Sequence, residues 1–113
     1  MAKDDYHVVV YQILAYLYVQ LKAGEEIDTN ILRANSNYLN INSIYWSYII
    51  ENLSNQGFVS GVVKNKAWGG NTVVFDIENI MITPLGIEYL TDNSFLKKAK
   101  EFLKDIKAIV PFV

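Results

Sequence analysis

Cysteine is absent from this chain of 113 residues, and histidine and arginine occur once each, as His7 and Arg33. Without thiols there is neither a disulfide nor a thiolate metal site, and one imidazole cannot build a histidine cluster. Proline stands only at positions 84 and 111, so helices and strands can run unbroken over most of the length. Charge is sparse as well, and a net value of −2 lacks the basic excess that dedicated nucleic-acid binders carry. The apolar run from Val8 to Leu21 falls short of the roughly 18 to 20 residues that span a bilayer, and Gln12 and Gln20 interrupt it. At the start, MAKDDYH sets one Lys against two Asp, and no small-residue cleavage pattern follows. A cytoplasmic protein with no membrane contact is the expectation.

What the chain does have is apolar bulk: eight Tyr, five Phe and two Trp within a length ordinary for one domain. From Asp5 to Ala23 the residues Tyr6, Val10, Ile13, Leu14, Leu17 and Leu21 share one helical stripe, and Gly24 supplies a stop. The opposite side carries Val8, Tyr11, Ala15, Tyr18 and Val19, so this helix expects cover on both faces. Asp28 can cap a short second helix over DTNILRANS, and the Asn-rich NSNYLNIN reads as a turn. Asn42 or Ser43 then opens a third helix whose inward stripe is Trp46, Ile49, Ile50 and Leu53, ended by Gly57. Phe58 to Val63 reads as a strand, KNKAWGGNT as a hairpin loop, VVFDI as the returning strand and IMIT as a short third piece. Thr83 and Pro84 fit the cap and first position of a short helix, PLGIEYLTDN. Ser94 can cap a last helix with Phe95, Ala99, Phe102, Leu103, Ile106, Ile109 and Val110 on one face and Lys97, Lys100, Lys104 and Lys107 on the other.

The order helix, helix, helix, strand, loop, strand predicts an α+β winged-helix domain with an added C-terminal amphipathic helix. One domain is expected over 1–113, with a winged-helix core at 1–92 and the extra helix at 93–113. Beyond this order, YQILAYL near the start, YW with IENLSNQGFVSGV in the middle and NIMITPLGIEYLTDNSFLKKAKEFLKDIKAIVP at the end resemble the YjcQ family over most of the chain. ITPLGIEYL, followed by DNS and a Lys-studded helix ending in VP, is the most specific part. The resemblance implies a small winged-helix-like protein of bacteria and their phages, often prophage-associated, with no established biochemical role. No catalytic or binding residue carries over from it. Ahead of Trp46 the family pattern has acidic residues, where this chain has NSIY.

Catalysis needs a nucleophile with its base, a carboxylate pair in a cleft or a metal cluster, and none assembles from these residues. A non-catalytic protein without cofactor or small-molecule substrate is therefore expected. His7 reads as a solvated residue at a helix start, and Gly69 with Gly70 lacks phosphate-loop spacing. Trp68, beside Lys64 and Lys66, either lies on a nucleic-acid backbone or protein partner or folds back onto the sheet.

On a helical wheel the third helix turns Ser43, Ser47, Tyr48, Glu51, Ser54 and Asn55 outward. Ser, Asn and Tyr can touch base edges, but phosphate anchoring is the work of Lys and Arg, and Glu51 has the wrong sign. Candidate contacts to a nucleic acid or partner are thus Arg33, Ser43, Ser47, Tyr48, Lys64, Lys66 and Trp68. Charge is also divided along the chain. Residues 1–92 hold five basic and ten acidic side chains, and residues 93–113 hold five Lys and two acids. The expected function is a non-catalytic interaction module that binds a protein partner or a second copy of itself as a homodimer. The alternative is a DNA-binding transcriptional regulator acting as a dimer. The C-terminal helix is expected to cover the spare face of the first helix, within the chain or across a two-fold axis.

Overall fold

Apolar side chains on every side make the first helix, α1 (Tyr6–Ala23), the axis of the molecule: each residue from Val8 to Leu17 is buried. The computed structural model describes residues 6–66 and 73–92. After α1 come α2 (Thr29–Leu32), α3 (Ser43–Asn55), β1 (Val59–Ser60), β2 (Val63–Lys66), β3 (Val73–Asp76), β4 (Met81–Ile82) and α4 (Pro84–Leu90). Among the described residues the fold is α+β, with four helices and two small antiparallel sheets. β1 pairs with β4, setting Val59 opposite Ile82, and β2 pairs with β3, setting Lys64 opposite Phe75. α1 packs against β4, α4 and α3, and the buried residues form one cluster in which Ile13, Leu14, Leu32, Ile49, Ile50 and Leu53 are fully enclosed. No helix among the described residues is long and apolar enough to cross a membrane.

The helix ends follow from the caps. Asp28 Oδ1 accepts from the Asn30 N–H, Asn42 Oδ1 from the Tyr45 N–H and Thr83 Oγ1 from the Gly86 N–H, so α2, α3 and α4 each begin on a side-chain oxygen. At the far end of α3 the Phe58 N–H returns to the Leu53 carbonyl and the Gly57 N–H to that of Ser54, the paired bonds of a Schellman turn. The four inward residues of α3, Trp46, Ile49, Ile50 and Leu53, are buried as the helical period requires.

Three expectations are corrected. α2 stops at Leu32 instead of continuing through Ser36: Arg33 is extended, and Asn35 and Asn40 take positive φ of 61° and 51°. Ser36 Oγ explains the early stop, because it donates to the Ile31 carbonyl and accepts from the Leu39 N–H, offering the backbone a turn in place of the next helical bonds. The stretch from Phe58 to Val63 is two strands, broken at Gly61, where φ is +79° and a β-carbon would collide with the Asn79 carbonyl. Leu21, expected in the buried stripe of α1, is 44% exposed, because it lies in the last turn of the helix, which ends at Ala23 before the chain turns away. The last helix expected at 93–113 and the hairpin tip with Trp68 lie outside the described residues.

Candidate functional site

α3 presents its outer face next to the start of α1 and the β2–β3 hairpin. Its opening is fixed by Asn42, and Ile41, immediately before the cap, is buried, so the first turn of the helix is anchored from below while its upper side stays open. On that side Ser43 is exposed, Ile44 is 84% exposed and Tyr48 is 59% exposed. Ile44 and Tyr48 stand one turn apart, four residues along the helix, and therefore point the same way. With Asn42, Ser43 and Tyr45 they line a shallow depression of about 420 Å³. The Tyr6 ring meets Tyr48 edge-on, 6.3 Å between centroids, and extends the aromatic surface onto α1. Burial, and then the neighbouring Tyr48, raise the Tyr6 hydroxyl above its ordinary pKa. Ser47, on the flank, is half-buried.

Charge on this face cancels internally. Lys64 of β2 reaches back to α3, with its Nζ 2.8 Å from Glu51 Oε1 and both side chains about half exposed. A lysine neutralised by a glutamate of the same surface offers little net positive charge to a phosphate. Lys66 ends β2 opposite Val73. Arg33 is exposed at the C-cap of α2, immediately after the Leu32 carbonyl that accepts from Trp46 Nε1 at 2.6 Å. The structure thus brings Ser43, Ser47 and Tyr48 together on α3 and joins Lys64 to that helix through Glu51. Trp68 lies outside the described residues.

Ile44 is the surface residue that the sequence reading passed over. The signal was present, since residues 44, 48 and 51 fall within about 60° of one another at 100° per residue. The helical period places position 44 on the outer face whatever the hydropathy of its side chain. Away from this face, His7 is exposed, with its Nδ1 3.5 Å from the Tyr89 hydroxyl and its ring edge-on to Tyr6. Among the described residues no three His, Asp or Glu side chains gather in a way that could hold a metal ion.

Compared with known families, the chain matches the family described as YjcQ protein over residues 11–109. No curated protein and no solved structure matches the chain.

Proposed function

The chain belongs to the YjcQ family, and from that premise we propose that it is a non-catalytic winged-helix interaction module that binds a protein partner through the outer face of α3. The winged-helix reading is supported by three helices followed by strands that include the antiparallel β2–β3 pair. A phage or prophage setting, which the family resemblance implies, belongs to the same proposal.

One observation carries the choice of partner. Where a DNA reader of this type would offer polar and cationic side chains, α3 offers Ile44 and Tyr48, and it has no Lys or Arg at all. An isoleucine that is 84% exposed gains nothing from a phosphate backbone, whereas an apolar and aromatic pair one helical turn apart is a typical anchor for a protein surface. The test has two arms. A photo-crosslinking residue in place of Ile44 is expected to give a discrete protein adduct in the producing cell, lost in Tyr48→Ala, because both positions are exposed and neither change disturbs the core. In parallel, random duplex DNA is expected to bind weakly or not at all at about 150 mM salt. Submicromolar duplex binding at that salt, abolished by Lys64→Glu with Lys66→Glu, would replace this reading with that of a DNA-binding regulator.

A further inference from the structure

A second concave surface lies apart from the α3 face and shares no residue with it. It is a trough of about 580 Å³ between the end of α1, the turn that follows and β4. Its floor is apolar. Leu21 and Met81, 44% and 50% exposed, line it beside Ile27. Its rim is acidic, with Glu25 and Glu26 on the α1 side and Glu78 on the β4 side. None of the three glutamates makes an ion pair among the described residues. Lys22, the nearest cation along the chain, is not in the lining and lies over the Tyr18 ring, 5.1 Å from its centroid.

Both walls are held in place without a ligand. Gln20 Nε2 donates to the Glu26 carbonyl at 2.7 Å, the Glu25 N–H donates to the Gln20 carbonyl, and the Asp28 N–H donates to the Tyr16 hydroxyl at 2.9 Å. Across the trough the Glu78 N–H is fixed by Asp76 Oδ1 at 2.9 Å. A surface already ordered loses little conformational entropy when something binds it. Three like charges around an apolar floor also select by sign: nucleic acids, anionic lipid surfaces and acidic peptides are repelled, and cationic groups are drawn in.

We propose that this trough is a docking site for a cationic amphipathic segment of a partner protein. The apolar side chains of that segment cover Leu21, Ile27 and Met81, and its Lys or Arg side chains reach Glu25, Glu26 and Glu78. The division of labour is that of known peptide grooves, where apolar contacts supply affinity and rim charges supply selectivity.

The experiment uses the full chain and two fluorescent synthetic amphipathic peptides, one with Leu and Lys faces and one with Leu and Glu faces. The Leu/Lys peptide is expected to bind, with affinity falling as salt rises, and the Leu/Glu peptide to bind at least about tenfold more weakly. Glu25→Lys with Glu78→Lys is expected to invert that preference, and Leu21→Asp to weaken the Leu/Lys peptide about tenfold. All three positions are exposed, so circular dichroism should show the fold retained. Equal binding of the two peptides, no binding of either, or an unchanged preference in the charge-reversed variant would overturn the proposal. A carbodiimide, which joins Lys to Glu without a spacer, is applied to the protein alone. Adducts from Glu25, Glu26 or Glu78 to Lys97, Lys100, Lys104 or Lys107 would give the trough to the chain's own C-terminal segment, within one chain or between two as the mass shows. That result would overturn the partner assignment. Every outcome is independent of the α3 reading, whose reporter is Ile44.

Discussion

Trp46 ties three elements together: it stands in α3, donates from Nε1 to the Leu32 carbonyl at the end of α2, and meets Phe75 of β3 edge-on at 6.3 Å. Trp46→Ala should therefore cost about 3 to 5 kcal/mol in a denaturation curve. Trp46→Phe keeps most of the apolar contact and strands the Leu32 carbonyl, for about 1 to 3 kcal/mol. A second buried polar contact links α1 to the turn before α3. Gln12 Nε2 donates to the Tyr38 carbonyl at 2.8 Å, and the Tyr38 hydroxyl donates to the Gln12 carbonyl at 2.9 Å. Burial pushes the Tyr38 hydroxyl well above its ordinary pKa of 10.0, helped by the nearby Tyr11 and Tyr16, because a phenolate there would lose both water and its role as donor. Unfolded, the same hydroxyl ionises near pH 10, so the unfolded state holds fewer protons above that pH and stability must fall as pH rises. Below about pH 10 the contribution is complete. A thermal-melt series from pH 8 to 11 should show the midpoint constant at first and then falling, less steeply in Tyr38→Phe.

Among the elements, those defined by capping chemistry were legible and those defined by contacts distant in sequence were not. Asn42 at the start of α3 and Thr83 with Pro84 at the start of α4 are local signals, and the chain obeys them. The break at Gly61 depends on the carbonyl of Asn79, far along the sequence, and no window of sequence around Gly61 contains that information. The same holds for the candidate site. Tyr48 was readable from helical period, whereas the pairing of Lys64 with Glu51 requires knowing that β2 lies against α3, and the trough at Leu21 requires knowing which way the chain turns after α1. Even the signature ITPLG has a structural meaning that its letters conceal. Thr83 caps α4 and also donates from Oγ1 to the Gly57 carbonyl, and a β-carbon on Gly86 would run into the Phe58 carbonyl and the Ile82 side chain. Thr83→Ala should thus destabilise by about 1 to 2 kcal/mol. Gly86→Ala should cost about 1 to 3 kcal/mol through overpacking, although it improves helix propensity. Urea denaturation of the two variants checks both figures, and a more stable Gly86→Ala would show that β1 and α4 can move apart freely.

At the scale of the whole molecule the decisive property is where charge is neutralised. The ion pair between Glu51 and Lys64 is exposed enough to contribute only about 0.2 to 1 kcal/mol to stability. Its larger effect is on the field in front of α3, where it removes a cation that the hairpin would otherwise present. Glu51→Lys reverses this, replacing the pair with two cations on a face that the fold already exposes. Duplex affinity at low salt should then rise, and the dependence of binding on salt should steepen by about one to two units of logarithmic slope relative to the parent. Fluorescence titrations at several salt concentrations measure that slope. No gain from Glu51→Lys would mean that the face is closed to DNA by shape as well as by charge.

The reciprocal contact between Gln12 and Tyr38 also bears on how the chain folds. Bringing together two residues 26 positions apart costs about 3 kcal/mol in loop-closure entropy, while two ordinary hydrogen bonds return about 2 kcal/mol. The two hydrogen bonds alone therefore do not offset the closure of the loop. The expectation is that the contact forms late, once apolar packing has brought α1 and the turn before α3 together. Tyr38→Phe should accordingly leave the refolding rate nearly unchanged and place its whole stability loss in faster unfolding, the kinetic signature of a φ-value near zero. A hydrogen bond that contributes nothing to the speed of folding would then govern how long the folded molecule lasts.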